Sequence, residues 1–87
     1  MVGTMSFRAW LRELKKREGW TERQMAEMFK VTQPAVHFWL TGHSLPELSS
    51  CGYISEATGT PLADIAEMVR RDAREASEEG RKVAGLT

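Results

Sequence analysis

The side chains best suited to chemistry in this sequence lie close together, between positions 21 and 43. They are amide, imidazole, hydroxyl and cationic groups that form hydrogen bonds, and Gln33, His37 and Lys30 are examples. The sequence has no nucleophile, base and orienting group at a catalytic spacing, and neither a Gly-rich phosphate loop nor a carboxylate pair. His37 and His43 lack the cysteines or spaced carboxylates that would complete a metal site. The pattern predicts a protein that binds a partner through hydrogen bonds, with no catalytic residue, metal or cofactor. No small-molecule substrate is evident.

Two short helices are predicted to position these groups. Thr21 has the capping-box spacing that begins a helix over about Glu22–Phe29. Thr32 caps a second helix over about Gln33–Leu40. Because only residues 30–32 separate the two helices, we expect them to cross steeply rather than lie antiparallel.

Packing at this crossing decides which side of the second helix is exposed. Ala26 is the small residue where the helices meet, and Val36 and Trp39 are the apolar wedges. With these three buried, the residues that face outward are Thr32, Gln33, Pro34, His37, Phe38 and Thr41. A protruding helix of this width fits the DNA major groove, where its N-terminal residues reach the base edges.

Three further helices complete the predicted fold, which is all-α and compact with five helices. The first begins at the cap Ser6 and ends at Gly19, and the fourth covers roughly Pro46–Thr58. The fifth opens at Thr60 and runs to about Glu79, with a frayed end after Gly80. In the fourth helix the residues predicted to face inward are Leu48, Cys51, Ile54 and Ala57.

Charge is distributed unevenly, although the formal net charge is zero. Residues 1–43 carry seven Lys and Arg against four Glu, whereas residues 44–87 carry five Lys and Arg against eight Asp and Glu. A basic half beside an acidic half favours a protein in which one face binds phosphate and another face makes a different contact.

The length and the single cysteine limit the class of protein. The 87 residues suffice for one domain with a modest core. Cys51 alone cannot form an intramolecular disulfide or a cysteine-based zinc site, and we expect it to be a small buried apolar residue. Because no signal segment or apolar run of membrane length is visible, we expect a cytoplasmic protein without a membrane partner.

The segment Thr21–Gly42 resembles the helix-turn-helix of the phage repressor and Cro family. It aligns with that motif without a gap and matches it at Ala26, Val36 and Gly42. The resemblance implies a lambda-repressor-like domain that binds double-stranded DNA.

The chain beyond this segment is also similar to the family. Leu45-Pro46, followed by Glu-Ala-Thr-Gly at 56–59, resembles the Cro-like and YdaS-like small regulators. The resemblance covers about Phe7–Val69. It implies a transcriptional regulator of the XRE type, a repressor or an activator, in the bacterial cytoplasm or a phage-infected host cell.

The exposed face and the resemblance together imply individual roles. The residues expected to contact bases are Thr32, Gln33, Pro34, His37 and Phe38. The residues expected to contact phosphates are Thr21, Arg23, Lys30, Thr41 and His43. Gln33 is suited to a bidentate pair with adenine, whereas Pro34 and Phe38 offer apolar contact to thymine methyl groups.

Two positions depart from the family pattern. The turn usually has Gly where this sequence has Lys30, so either Lys30 adopts a left-handed backbone or the turn differs. Glu22 stands where the family often has a Gln that touches a phosphate. A carboxylate there repels phosphate, and we expect Glu22 to support Gln33 or Arg23 instead.

The fifth helix is predicted to pair two protomers, because one helix-turn-helix contacts too few base pairs for useful specificity. Its expected interface residues are Leu62, Ile65, Val69, Ala73 and Ala76. Residues 6–71 would then form the DNA-binding domain, and residues 72–87 a C-terminal helical extension that supports a homodimer. The alternative is a frayed surface helix in which only Leu62–Val69 is buried.

Two other functions remain open from the sequence alone. The neutral net charge and Glu22 are compatible with an antitoxin-like or adaptor module that uses the exposed helix, with His37 and Phe38, to hold a partner protein. A third possibility is an architectural role like that of a phage excisionase, which would bend DNA.

Overall fold

The computed structural model describes the backbone of residues 5–85 and the side chains of residues 5–76. This part of the chain contains five helices and no strand, so the predicted all-α fold is confirmed. The helices in chain order are α1 (Phe7–Glu18), α2 (Glu22–Phe29), α3 (Gln33–Thr41), α4 (Leu48–Thr58) and α5 (Leu62–Gly85). No helix within residues 5–85 is both long enough and apolar enough to cross a membrane.

Local capping explains where the first three helices begin. The Ser6 hydroxyl accepts a hydrogen bond from the Ala9 N–H at 3.1 Å and starts α1. Thr21 forms the full capping box with Gln24, and the Thr32 hydroxyl accepts from Ala35 at 3.2 Å. These bonds satisfy N–H groups that have no partner inside the helix. The starts predicted for these helices are therefore confirmed.

The core is a cluster of apolar side chains with aromatic rings at its centre. Trp39 is 4% exposed, and its ring meets Phe7 edge-on at a centroid distance of 6.3 Å. It also stacks with Phe29 at 6.5 Å. Around these rings the buried residues are Trp10, Leu11, Leu14, Met25, Ala26, Val36, Leu40, Cys51, Ile54, Ile65 and Met68. Burial raises the pKa of the Cys51 thiol, which keeps it neutral as a packing residue.

The start of α4 differs from the sequence prediction. The helix begins at Leu48 rather than Pro46, and Glu47 forms no side-chain cap hydrogen bond there. Pro46 is buried just before the helix, whereas Leu48 is 70% exposed. The prediction that Leu48 and Ala57 face inward is wrong, because the buried side of α4 is narrow and consists of Cys51 and Ile54.

The last helix is longer than predicted. It begins at Leu62, where the Pro61 carbonyl accepts from Asp64 and Ile65, and it continues past Gly80 to Gly85. A glycine inside a helix costs only about 1 kcal/mol, so it does not by itself end one. The predicted boundary between residues 71 and 72 therefore lies inside a continuous helix.

The face of α5 that packs on the domain is centred on Ile65 and Met68, both of which are fully buried. Ile65 was expected at a dimer interface, and that expectation is wrong because its side chain is enclosed by its own protomer. Asp72 lies one turn beyond Met68, and its carboxylate oxygen Oδ2 accepts a hydrogen bond from the Phe7 N–H at 2.9 Å. This bond ties α5 to the first turn of α1.

We predict that Asp72→Ala lowers the free energy of unfolding by about 1–2 kcal/mol. The substitution leaves a half-buried N–H without its acceptor and removes a carboxylate from the positive end of the α1 dipole. Urea unfolding followed by circular dichroism measures the change. Glu75→Ala, an exposed acidic position on the same helix, is the control and should change stability by less than about 0.5 kcal/mol. Equal effects of the two substitutions would contradict the contact.

Candidate nucleic-acid interface

The interface is built on the corner between α2 and α3. Ala26, Val36 and Trp39 are at most 6% exposed, as the sequence predicted. Lys30 adopts the left-handed conformation with φ 56° and ψ 45°, at a cost of about 1 kcal/mol. Of the two alternatives for this turn, the structure has the left-handed Lys30. The Val31 N–H then donates to the Ala26 carbonyl at 3.0 Å and closes the turn.

The corner leaves one side of α3 in solvent. Thr32, Gln33, Pro34, His37 and Phe38, the residues expected to contact bases, are all exposed. Phe38 is 46% exposed, although the neighbouring Trp39 is buried. A row of polar and apolar groups on a protruding helix has the form that enters a major groove.

Two shallow grooves run along this face and share Glu22 and His37. The first, the apolar groove, is also lined by Gln33, Pro34 and Phe38. The second, the basic groove, is also lined by Arg12, Lys15, Lys16, Leu40 and Thr41. The exposed face of α3 is thus continuous with cations contributed by α1, which suit a phosphate backbone.

Glu22 and His37 meet at the boundary of these grooves. The His37 Nδ1 lies 3.3 Å from the Glu22 Oε2, so the first turn of α2 is joined to the middle of α3. Glu22 was expected to support Gln33 or Arg23, and that expectation is wrong. Arg23 instead lies 3.9 Å from Glu27 in a highly exposed pair, which contributes little to stability.

The five residues expected to contact phosphate do not form one cluster. Thr41 and His43 are joined, because the Thr41 Oγ1 lies 2.8 Å from the His43 Nδ1 at the end of α3. Thr21 and Arg23 are exposed at the start of α2. The Lys30 ammonium lies 5.8 Å from the centre of the Tyr53 ring, on the side of α4. These candidates therefore lie at the start of α2, at the turn that follows it and at the end of α3.

Two arginines of α1 hold the C-terminal end of α3. The Arg12 Nε donates to the Leu40 carbonyl at 2.7 Å, and the Arg8 guanidinium donates to the Thr41 carbonyl at 3.4 Å. These carbonyls belong to the last turn, where the helix dipole attracts a cation. Gly42 follows with φ 84°, and a Cβ there would lie 2.5 Å from the Arg8 side chain. The end of α3 therefore accommodates both a left-handed residue and a close arginine.

The residues predicted to contact phosphate include none from α1, although cations of α1 line the basic groove. Arg8, Arg12 and Lys15 lie at i, i+4 and i+7, a spacing that places them on one side of a helix. That basic row could have been found from the sequence. Its contact with α3 could not, because Arg12 and Leu40 are 28 residues apart.

We predict that Arg12→Ala lowers the free energy of unfolding by about 1–2 kcal/mol, because a charged donor to a helix-terminal carbonyl is lost. Thermal or urea unfolding measures it. Arg17→Ala removes an equal charge from an exposed position of α1, whose nearest ion-pair partner is Glu18 at 3.8 Å, and should leave stability nearly unchanged. If Arg17→Ala were as destabilising, the effect would come from net charge and not from the contact with Leu40.

A family model described as helix-turn-helix matches residues 11–65, which is more than half of the chain. No curated protein and no solved structure matches the chain. The matched segment begins within α1 and ends within α5, so it includes the corner and the exposed face of α3. Members of this family are DNA-binding regulators and are not typically enzymes. The chain belongs to the lambda-repressor-like, XRE-type helix-turn-helix family.

Proposed function

We propose that this protein is a transcriptional regulator that reads a specific sequence of double-stranded DNA with α3, as a homodimer on an inverted repeat. The observation that carries the proposal is the exposed face of α3. Its polar and apolar side chains project into solvent, while Val36, Trp39 and Leu40 on the opposite side are buried in the core.

Base contacts are assigned to the first turns of this helix. Gln33 is the first residue of α3 and is exposed, so its amide is free to pair with adenine through two hydrogen bonds. Pro34 and Phe38 lie one turn apart beside it and offer apolar contact to thymine methyl groups. Thr32 contributes a hydroxyl at the cap, and His37 contributes an imidazole between the grooves.

Phosphate contacts are assigned to groups that surround the face. Thr21 and Arg23 lie at the start of α2, and Thr41 and His43 lie at the end of α3. Lys15, which lines the basic groove, is a further contact, and Lys30 is a contact at the side of the turn. Because these contacts displace counterions, we expect affinity to fall steeply as salt is added.

Dimerisation is assigned to a second row of apolar residues on α5, beside the face that packs on the core. Their spacing alternates between four and three residues, and the row consists of Leu62, Ala66, Val69, Ala73 and Ala76. Leu62 is 41% exposed and the two outer alanines are exposed, while Ala66 and Val69 are half-buried. Such a row forms a seam between two helices. In this proposal residues 6–71 bind DNA, and residues 72–87 are an extension whose Ala73 and Ala76 continue the seam.

We predict that Gln33→Ala reduces discrimination at one base pair by about 1–3 kcal/mol, because one bidentate contact is lost. Arg23→Ala is the comparison. It should weaken binding to all duplexes alike, and the number of counterions released on binding should fall by about one. Titration of labelled specific and random duplexes at low and high salt measures both effects. Equal loss on both duplexes with Gln33→Ala would contradict direct reading of the base. Absence of any salt-dependent binding would favour the adaptor function.

We predict that Ala73→Glu shifts the protein from dimer to monomer, because a carboxylate would be buried in the seam without a partner. Sedimentation equilibrium measures the change. Ala63→Glu, an exposed alanine on a different side of α5, should leave the dimer intact. A substitution tests the seam better than truncation after residue 71, which would also remove the contact of Asp72 with Phe7. A wild-type protein that sediments as a monomer at every concentration would contradict the dimer.

A further inference from the structure

The pair formed by Glu22 and His37 lies within the proposed reading face and has two unequal members. The Glu22 side chain is 29% exposed, whereas the His37 side chain is 54% exposed. The carboxylate is therefore partly sheltered at the first turn of α2, while the imidazole projects from α3. His37 lies one turn after Gln33 on the same face and borders both grooves.

The contact fixes which nitrogen of His37 carries a proton. An ionised carboxylate only accepts hydrogen bonds, so the Nδ1 that lies 3.3 Å from the Glu22 Oε2 must donate. In the neutral imidazole the other nitrogen, Nε2, is then an acceptor. In the imidazolium both nitrogens are donors. No hydrogen bond within residues 5–76 engages Nε2.

Resting on the proposed function, we propose that Glu22 and His37 act as one specificity-determining unit whose base preference changes with protonation. His37 reads the base, and Glu22 is a positioning residue that acts through it. With neutral His37, Nε2 accepts from an amino group in the major groove, the N6 of adenine or the N4 of cytosine. With protonated His37, Nε2 donates to the N7 or O6 of guanine.

Charged groups face His37 from two other helices. From α2, the Glu22 carboxylate is in direct contact. From α1, Arg12, Lys15 and Lys16 line the basic groove that His37 also borders. From α3 and the residues after it, Phe38 contributes an uncharged ring at 6.2 Å, and His43 is hydrogen-bonded to Thr41. The Arg12 guanidinium already donates to Leu40, and DNA phosphates neutralise the lysines when the duplex binds.

The decisive experiment is selection of bound sequences from a random duplex pool at about pH 5.5 and about pH 8, the range in which histidine changes charge. We expect one position in each half-site to change from adenine or cytosine at high pH to guanine at low pH. The relative affinity there should change about tenfold, the value of one good contact. His37→Ala should remove the preference at both pH values.

Two variants of Glu22 test its hydrogen bond to His37. Glu22→Gln replaces a carboxylate that only accepts with an amide that both accepts and donates, so Nδ1 is no longer fixed as the donor. The preference at high pH should weaken, while the change to guanine at low pH is retained. Glu22→Ala removes the acceptor, so the preference should weaken at high pH also. His43→Ala is the control for the second exposed histidine, and it should lower affinity for all sequences while retaining the change at one position.

The outcomes distinguish this inference from the function on which it rests. A selected sequence that is identical at both pH values, or a Glu22→Gln protein that behaves as wild type, would overturn the role of the pair and leave sequence-specific binding intact. Failure to select any sequence at either pH would overturn both. A guanine preference at low pH that survives in His37→Ala would also overturn the role of the pair.

Discussion

The close packing of α2 against α3 is the constraint on which the other features depend. Ala26 is small enough for the helices to approach, and Val36 and Trp39 fill the space beneath them. Three residues connect the helices, and one of them, Lys30, accepts a left-handed backbone so that the turn closes. Because one side of α3 is buried in the core, its other side is exposed to solvent. The exposed face of α3 is the consequence of that packing.

Contacts at helix ends position the other helices of the domain, and α1 takes part in each of these contacts. Its side chains Arg8 and Arg12 donate to the last carbonyls of α3, and its own first N–H is held by Asp72 of α5. Each contact pairs a charged side chain with the end of a helix that carries the opposite partial charge. The helices α3 and α5 are therefore positioned by the same element, although they lie far apart in sequence.

Local signals in the sequence predicted the first three helices well. Caps such as Thr21 and Thr32 act within three residues, so their effect is visible without a fold. The start of α4 was predicted less well, because Leu48 and Pro46 both fit a helical pattern and only tertiary packing decides which is buried. The partner of Glu22 was missed for a similar reason. His37 is 15 residues away, and nothing in the spacing distinguishes it from Gln33 or Arg23 as a partner.

The most direct test of the central claim is a nuclear magnetic resonance titration of isotope-labelled protein with a short duplex obtained by selection. If α3 enters the groove, amide signals from the start of α2 and from residues 32–43 should shift together. Signals from exposed positions on α4, such as Glu56 and Ala57, should stay in place. Shifts centred on α4 or α5, with the signals of Gln33 and Phe38 unmoved, would contradict the account.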